Sequence, residues 1–185
     1  MLPAGQEAWR SDCEALWEFY TSLDDVGVLD DANNPHPWGA GTPFVDWQGL
    51  STVARGVVGI DLSRTGLSGT MSLALGHLSN LEILNLHSNS LSGEIPEELG
   101  RLSKLTFLDL GGNGFNGTLP VQLGSVSALR VLVIHSSDIT GPIPASFGNL
   151  KKSTHLHLAS NKLKGETPSE LGELAELETL DLRNN

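Results

Sequence analysis

The sequence predicts an α/β repeat fold, a right-handed solenoid whose short parallel strands line a concave face, preceded by a helical N-terminal cap. Three observations lead there. Of the 32 leucines, 27 lie after residue 56, while all four tryptophans lie before it. From Val57 onward one pattern recurs every 24 residues, with starts at Val57, Leu81, Leu105, Leu129, Ser153 and Leu177. Each copy opens on alternating positions, as in Leu81-Glu82-Ile83-Leu84-Asn85-Leu86. A fixed period of this length marks a stacked array, and period-two alternation marks a half-buried strand.

The first element is the cap, residues 1–56. The end of a stack exposes its core, so a segment with a polar outer side must cover it. Ser11 and Glu14 stand at capping-box spacing. Cys13, Leu16, Trp17 and Tyr20 follow at i, i+3, i+4 and i+7, which predicts an amphipathic helix over about 11–22. The turn formers of the next stretch, including Pro35-His36-Pro37, predict a loop over 24–43. Phe44, Trp47 and Leu50 then lead into the first repeat strand.

Residues 57–185 form the repeats, the last of them incomplete. A lone strand cannot bury its apolar face, so the copies must stack with strands in parallel. The ninth position holds Asn89, Asn113, Asn161 and Asn185, whose amides turn inward and are expected to form a ladder satisfying backbone groups left unpaired by the bend. Gly at the thirteenth position permits a positive φ, and Pro at the sixteenth keeps the convex side from forming a long helix. The missing half of the sixth copy, with no terminal cap, leads to the expectation that this is a fragment of a longer chain, monomeric as part of it.

The spacing L-x-x-L-x-L-x-x-N-x-L-x-G-x-I-P-x-x-L-G-x-L, whole in residues 81–104, resembles the plant-type leucine-rich repeat, and the resemblance covers residues 57–185. The run around Asp12, Tyr20, Trp47 and Leu50 resembles the N-terminal cap of such proteins. Plant receptors pair two cysteines there, whereas no cysteine flanks Trp47 here. In this the cap looks like the cysteine-poor version of algal, protist and bacterial repeat proteins. The resemblance implies a non-enzymatic module that recognises a protein or peptide.

Composition narrows the function further. A net charge of −11 excludes a broad phosphate-binding surface, so no nucleic-acid partner is expected. The single Cys13 excludes an internal disulfide. No run approaches the roughly 18 apolar residues of a membrane helix, and the first residues do not read as a signal peptide. Together these favour a cytoplasmic location, or an extracellular or membrane-tethered one if a leader precedes the chain.

Third- and fifth-position side chains point out from the strands onto the concave face. There Ile83, Phe107, Val131 and Val133 are apolar without any need from the core, and Asn85, His87, Asp109, His135, His155 and His157 border them. Apolar patches rimmed by polar groups mark partner sites. The alternatives are the ectodomain of a receptor-like kinase, and a metal site at the His155/His157 pair with Asp181 as third ligand. No cofactor is expected, and no hydrolase elbow, P-loop or zinc-protease motif is present. Glu94, Glu97 and Glu98 read as a solvated convex surface, and Asn116-Gly117-Thr118 fits a glycosylation sequon.

Overall fold

The computed structural model describes residues 10–25, 47–54 and 56–185. Most of the loop expected over 24–43 lies outside them. Helix α1 (Arg10–Thr21) is followed closely by strand β1 (Leu23–Asp25), so Asp24 and Asp25, the first positions of the expected loop, are strand.

The buried face of α1 is Asp12, Ala15, Leu16 and Phe19. Of the expected stripe, Leu16 is fully buried and Cys13 and Tyr20 pack against the core's margin, while Trp17 is 47% exposed. Asp12 joins the inward face instead, its carboxylate accepting the Val57 N–H at 2.8 Å. A carboxylate leading the inward face is invisible to apolar periodicity. Arg10 is already helical, so Ser11 lies inside the first turn and not at an N-cap. Burial, and then the charge of Asp12, push the Cys13 thiol up to about 11, which keeps it protonated at neutral pH.

Strand β2 (Leu50–Val53) pairs antiparallel with β3 (Gly56–Asp61). From β3 the concave sheet continues in parallel through β5 (Ile83–Asn85), β7 (Phe107–Asp109), β9 (Val131–Val133), β11 (His155–His157) and β13 (Thr179–Asp181). The hairpin partner β2 covers the first edge, which would otherwise offer unpaired backbone groups. Register follows the repeat without slippage: Ile83 stands opposite Phe107, Phe107 opposite Val131, and Val131 opposite His155. Equivalent positions thus form columns across the sheet.

A second sheet runs along the flank in the order β1, β4 (Ser68–Thr70), β6 (Ser90–Glu94) and β8 (Gly114–Asn116), with β10 (Thr140–Gly141) and β12 (Lys162–Leu163) paired beyond it. The convex side carries short 3-10 helices, Leu73–His77, Glu97–Arg101, Val121–Ser125, Ala145–Asn149 and Ser169–Glu173. Four begin directly after a proline whose φ is near −60°, as Pro96 at −61°, and the first begins after Ser72, whose hydroxyl accepts the Ala74 N–H at 3.1 Å. These helices stack closely because of glycine: a Cβ on Gly100 would lie 2.5 Å from the Gln122 carbonyl oxygen.

Between the layers lies a continuous core of leucines, with Phe115 and Phe147 among its largest fully buried side chains. The ninth-position amides run beside it. Asn113 Nδ2 donates to the Leu86 and Leu110 carbonyls, both at 3.0 Å, and its Oδ1 accepts the Leu91 N–H at 3.1 Å. Asn89, Asn161 and Asn185 repeat the arrangement, each donating to the carbonyls of its own and the preceding repeat.

Candidate functional site

From β3 to β11 the inward position of each strand, such as Leu84, Leu108 and Leu132, is fully buried, while Leu180 in β13 is 41% exposed, and the third- and fifth-position side chains face out. Ile83 is 45% exposed, and Phe107, Val131 and Val133 are half-buried by their own neighbours in the column. Parallel register sets these four side by side, since Phe107 lies opposite Val131 and Asp109 opposite Val133. Asn85 and Asp109 complete the N-terminal half of the face. Their Oδ1 atoms accept the N–H two residues on, from His87 at 3.2 Å and from Gly111 at 2.9 Å, so both carboxamide and carboxylate are held against the strand ends.

His87 and His135 are 48 positions apart yet their rings meet edge-on with centroids 5.6 Å apart. Gly111 sits between them in the same column. A Cβ there would lie 2.7 Å from His135 Nε2, so the missing side chain is the space into which the imidazole leans. His87 Nε2 is 2.8 Å from the Ser88 hydroxyl. Its Nδ1 is buried with no hydrogen-bond partner, 3.6 Å from Asp109 Oδ1. A column reading His-Gly-His was the available sequence signal for this contact.

His155 and His157 stack with ring centroids 5.8 Å apart. Asp181 lies opposite His157 on the next strand, but its carboxylate is taken by Arg183, with Nε at 2.9 Å and Nη2 at 2.7 Å. The Arg183 guanidinium and backbone hold the Asp181 carboxyl down at about 2. The third ligand that a metal at this pair would require is thus engaged elsewhere. Among the described residues no group of three His, Cys, Asp or Glu is disposed to hold a metal ion.

Stacked strand–turn–3-10 units around a leucine core, with a side-chain surface displayed along one sheet, define a repeat solenoid of the recognition type. The leucine-rich repeat region family matches residues 60–185, and the chain belongs to it. Among relatives, it is 38% identical over 107 residues, 55% of this chain, to the receptor-like serine/threonine-protein kinase GSO2 of Arabidopsis thaliana. It spans only about a tenth of the length of the curated relatives it matches, 8% for GSO2 and 13% for an inactive receptor-like kinase of the same plant. The solved ectodomain of BIR2 from the same plant is 30% identical, with a TM-score of 0.76 over 86% of this chain and 84% of that one. The Arabidopsis receptor kinase HAESA ectodomain, solved in complex with a peptide hormone ligand, is 30% identical with a TM-score of 0.69 over 95% of this chain and 33% of that one.

These likenesses correct the expected location. The related structures are ectodomains, the portions of receptors that lie outside the cell, which overturns the cytoplasmic expectation drawn from the first residues and the lone cysteine. No helix among the described residues is long and apolar enough to cross a membrane.

Proposed function

We propose that the chain is a non-enzymatic recognition module that binds a protein or peptide through its concave face, as the ligand-binding, extracellular part of a receptor-like kinase whose catalytic domain is a separate unit. In this reading residues 1–56 are a cysteine-poor cap and residues 57–185 are plant-type repeats. The carrying observation is the contiguous group of Ile83, Phe107, Val131 and Val133 on the displayed side of the sheet. They stand outside the buried core, whose strand positions are the alternate residues Leu84, Leu108 and Leu132. An extended peptide crossing the columns would set apolar side chains on this group and polar ones on Asn85, Asp109, His87, His135, His155 and His157. The HAESA ectodomain, similar over nearly the whole of this chain, was solved with a peptide hormone ligand, which supports a peptide as the class of partner.

The test is selection of binding peptides from a displayed random library, followed by calorimetry on the chain and on Ile83→Asp and Phe107→Asp. Each substitution sits on an exposed or half-exposed position and leaves the leucine core intact. The expected result is at least tenfold weaker binding, about 1.4 kcal/mol or more, with circular dichroism unchanged. Selected peptides that bind both variants as tightly as the original chain place recognition elsewhere.

A further inference from the structure

The convex side carries a second surface that the repeat does not require. A groove of about 530 Å³ runs beside the 3-10 helices of the first three repeats. Its floor is Met71, Ile95 and Leu119, a buried row that the repeat register dictates. Its flanks are not dictated: Leu73 is 56% and Val121 57% exposed, the largest exposures among the large apolar side chains described. Both occupy the position directly after the proline or Ser72, where the fourth and fifth repeats hold the small Ala145 and Ser169.

Between these flanks, the second repeat contributes Glu94, Glu97 and Glu98 to the groove lining. Gln122 donates to Glu97, and the exposed Arg101 comes no nearer than 3.9 Å to the half-buried Glu98, a distance at which such a pair neutralises little. The surface is therefore a pair of exposed aliphatic side chains with a concentrated negative charge between them. Solvation accounts for the glutamates alone but not for branched apolar groups left in water beside them. The fourth repeat, with Pro142, Ala145 and Ser146 at the matching places, shows that the fold stands without either feature.

We infer that this convex groove is a docking site for a second partner, an extended protein segment that lays an aliphatic side chain between Leu73 and Val121 and sets lysine or arginine against Glu94, Glu97 and Glu98. Charge complementarity decides the occupant: an acidic segment would be repelled here, and a purely apolar one would leave the carboxylates desolvated and unpaired. The site lies on the face opposite the concave strands, so both can be filled together. It goes beyond the concave-face reading and does not depend on it.

The probe is the synthetic peptide acetyl-Lys-Leu-Lys-Val-Pro-Leu-Lys-amide, titrated into the chain with methyl-labelled Ile, Leu, Val and Met. Saturable shifts are expected at Met71, Leu73, Ile95 and Val121, weakening as salt is raised. Replacing each probe lysine by glutamate, or using the chain with Glu97→Lys and Glu98→Lys, is expected to weaken binding at least ~5-fold. The dispersion of the remaining methyl signals checks that the variant is folded, and Leu73→Ser, which leaves all charges in place, is expected to weaken binding as well. Absence of saturable shifts in the groove, equal affinity for the charge-reversed chain, or shifts confined to Ile83, Val131 and Val133 each overturn the inference. The last of these leaves the concave-face reading standing.

Discussion

Removing the Asn113 carboxamide separates the ladder's contribution from that of the leucine core. The side chain is 9% exposed and makes three close backbone hydrogen bonds. In Asn113→Ala the Leu91 N–H loses its acceptor and the Leu110 carbonyl loses its amide donor, whereas the Leu86 carbonyl keeps the Asn89 amide at 2.9 Å. Two buried groups are left unpaired, each costing about 1–3 kcal/mol, so the variant should lose about 2–6 kcal/mol. That corresponds to a fall of about 4–24 °C in Tm for a chain of this size. Asn185 makes the same set of bonds at an exposed position, where water replaces the lost partners, and Asn185→Ala should cost under about 1 kcal/mol. Urea denaturation of both variants reads the two values. Equal losses, or a loss under about 1 kcal/mol for Asn113→Ala, would refute the reasoning that buried backbone satisfaction is what the asparagine supplies.

Two further predictions concern packing and pH. Gly100→Ala should destabilise by about 1–3 kcal/mol because the new methyl meets the Gln122 carbonyl and Cβ, while Gly172→Ala, with nothing within 4 Å, should stay within about 0.5 kcal/mol of the original in the same urea assay. For Asp12, burial raises the carboxyl above its usual 3.8, so the folded chain keeps a proton that the unfolded chain releases, and this group's contribution to stability falls as pH rises from 3.8 through the raised value. Asp12→Asn, which keeps a carbonyl acceptor for Val57, should therefore gain on the original chain between pH 4 and pH 7 in calorimetric scans. Asp12→Ala should instead lose about 1–3 kcal/mol at both pH values through the unpaired Val57 N–H.

The solenoid was legible because each of its parts is enforced locally and then repeated. The leucine rows, the inward asparagines, the close-packed glycines and the prolines before the 3-10 helices answer needs that recur in every copy. What was not legible depended on single exceptions. Asp12 takes a place on the inward face of α1 through a bond to a backbone N–H 45 positions away. The flank strands around Leu91 and Phe115 are only three to five residues long and gain their identity from the neighbouring repeat, not from their own pattern. On the concave face, the column positions of Ile83, Phe107, Val131 and the histidines could be read in advance. The meeting of His87 with His135 was signalled only by the column His87, Gly111, His135, and the capture of Asp181 by Arg183 by nothing in the repeat pattern.

Hydroxyl-radical footprinting of the chain with and without a selected peptide reads side-chain protection on the concave sheet and on the cap at once. Oxidation is expected to fall at Ile83, Phe107 and the His155/His157 pair, with Trp17 on the exposed side of α1 unchanged. Unaltered oxidation at Phe107 and His155 in the presence of a saturating peptide would contradict binding through the concave face.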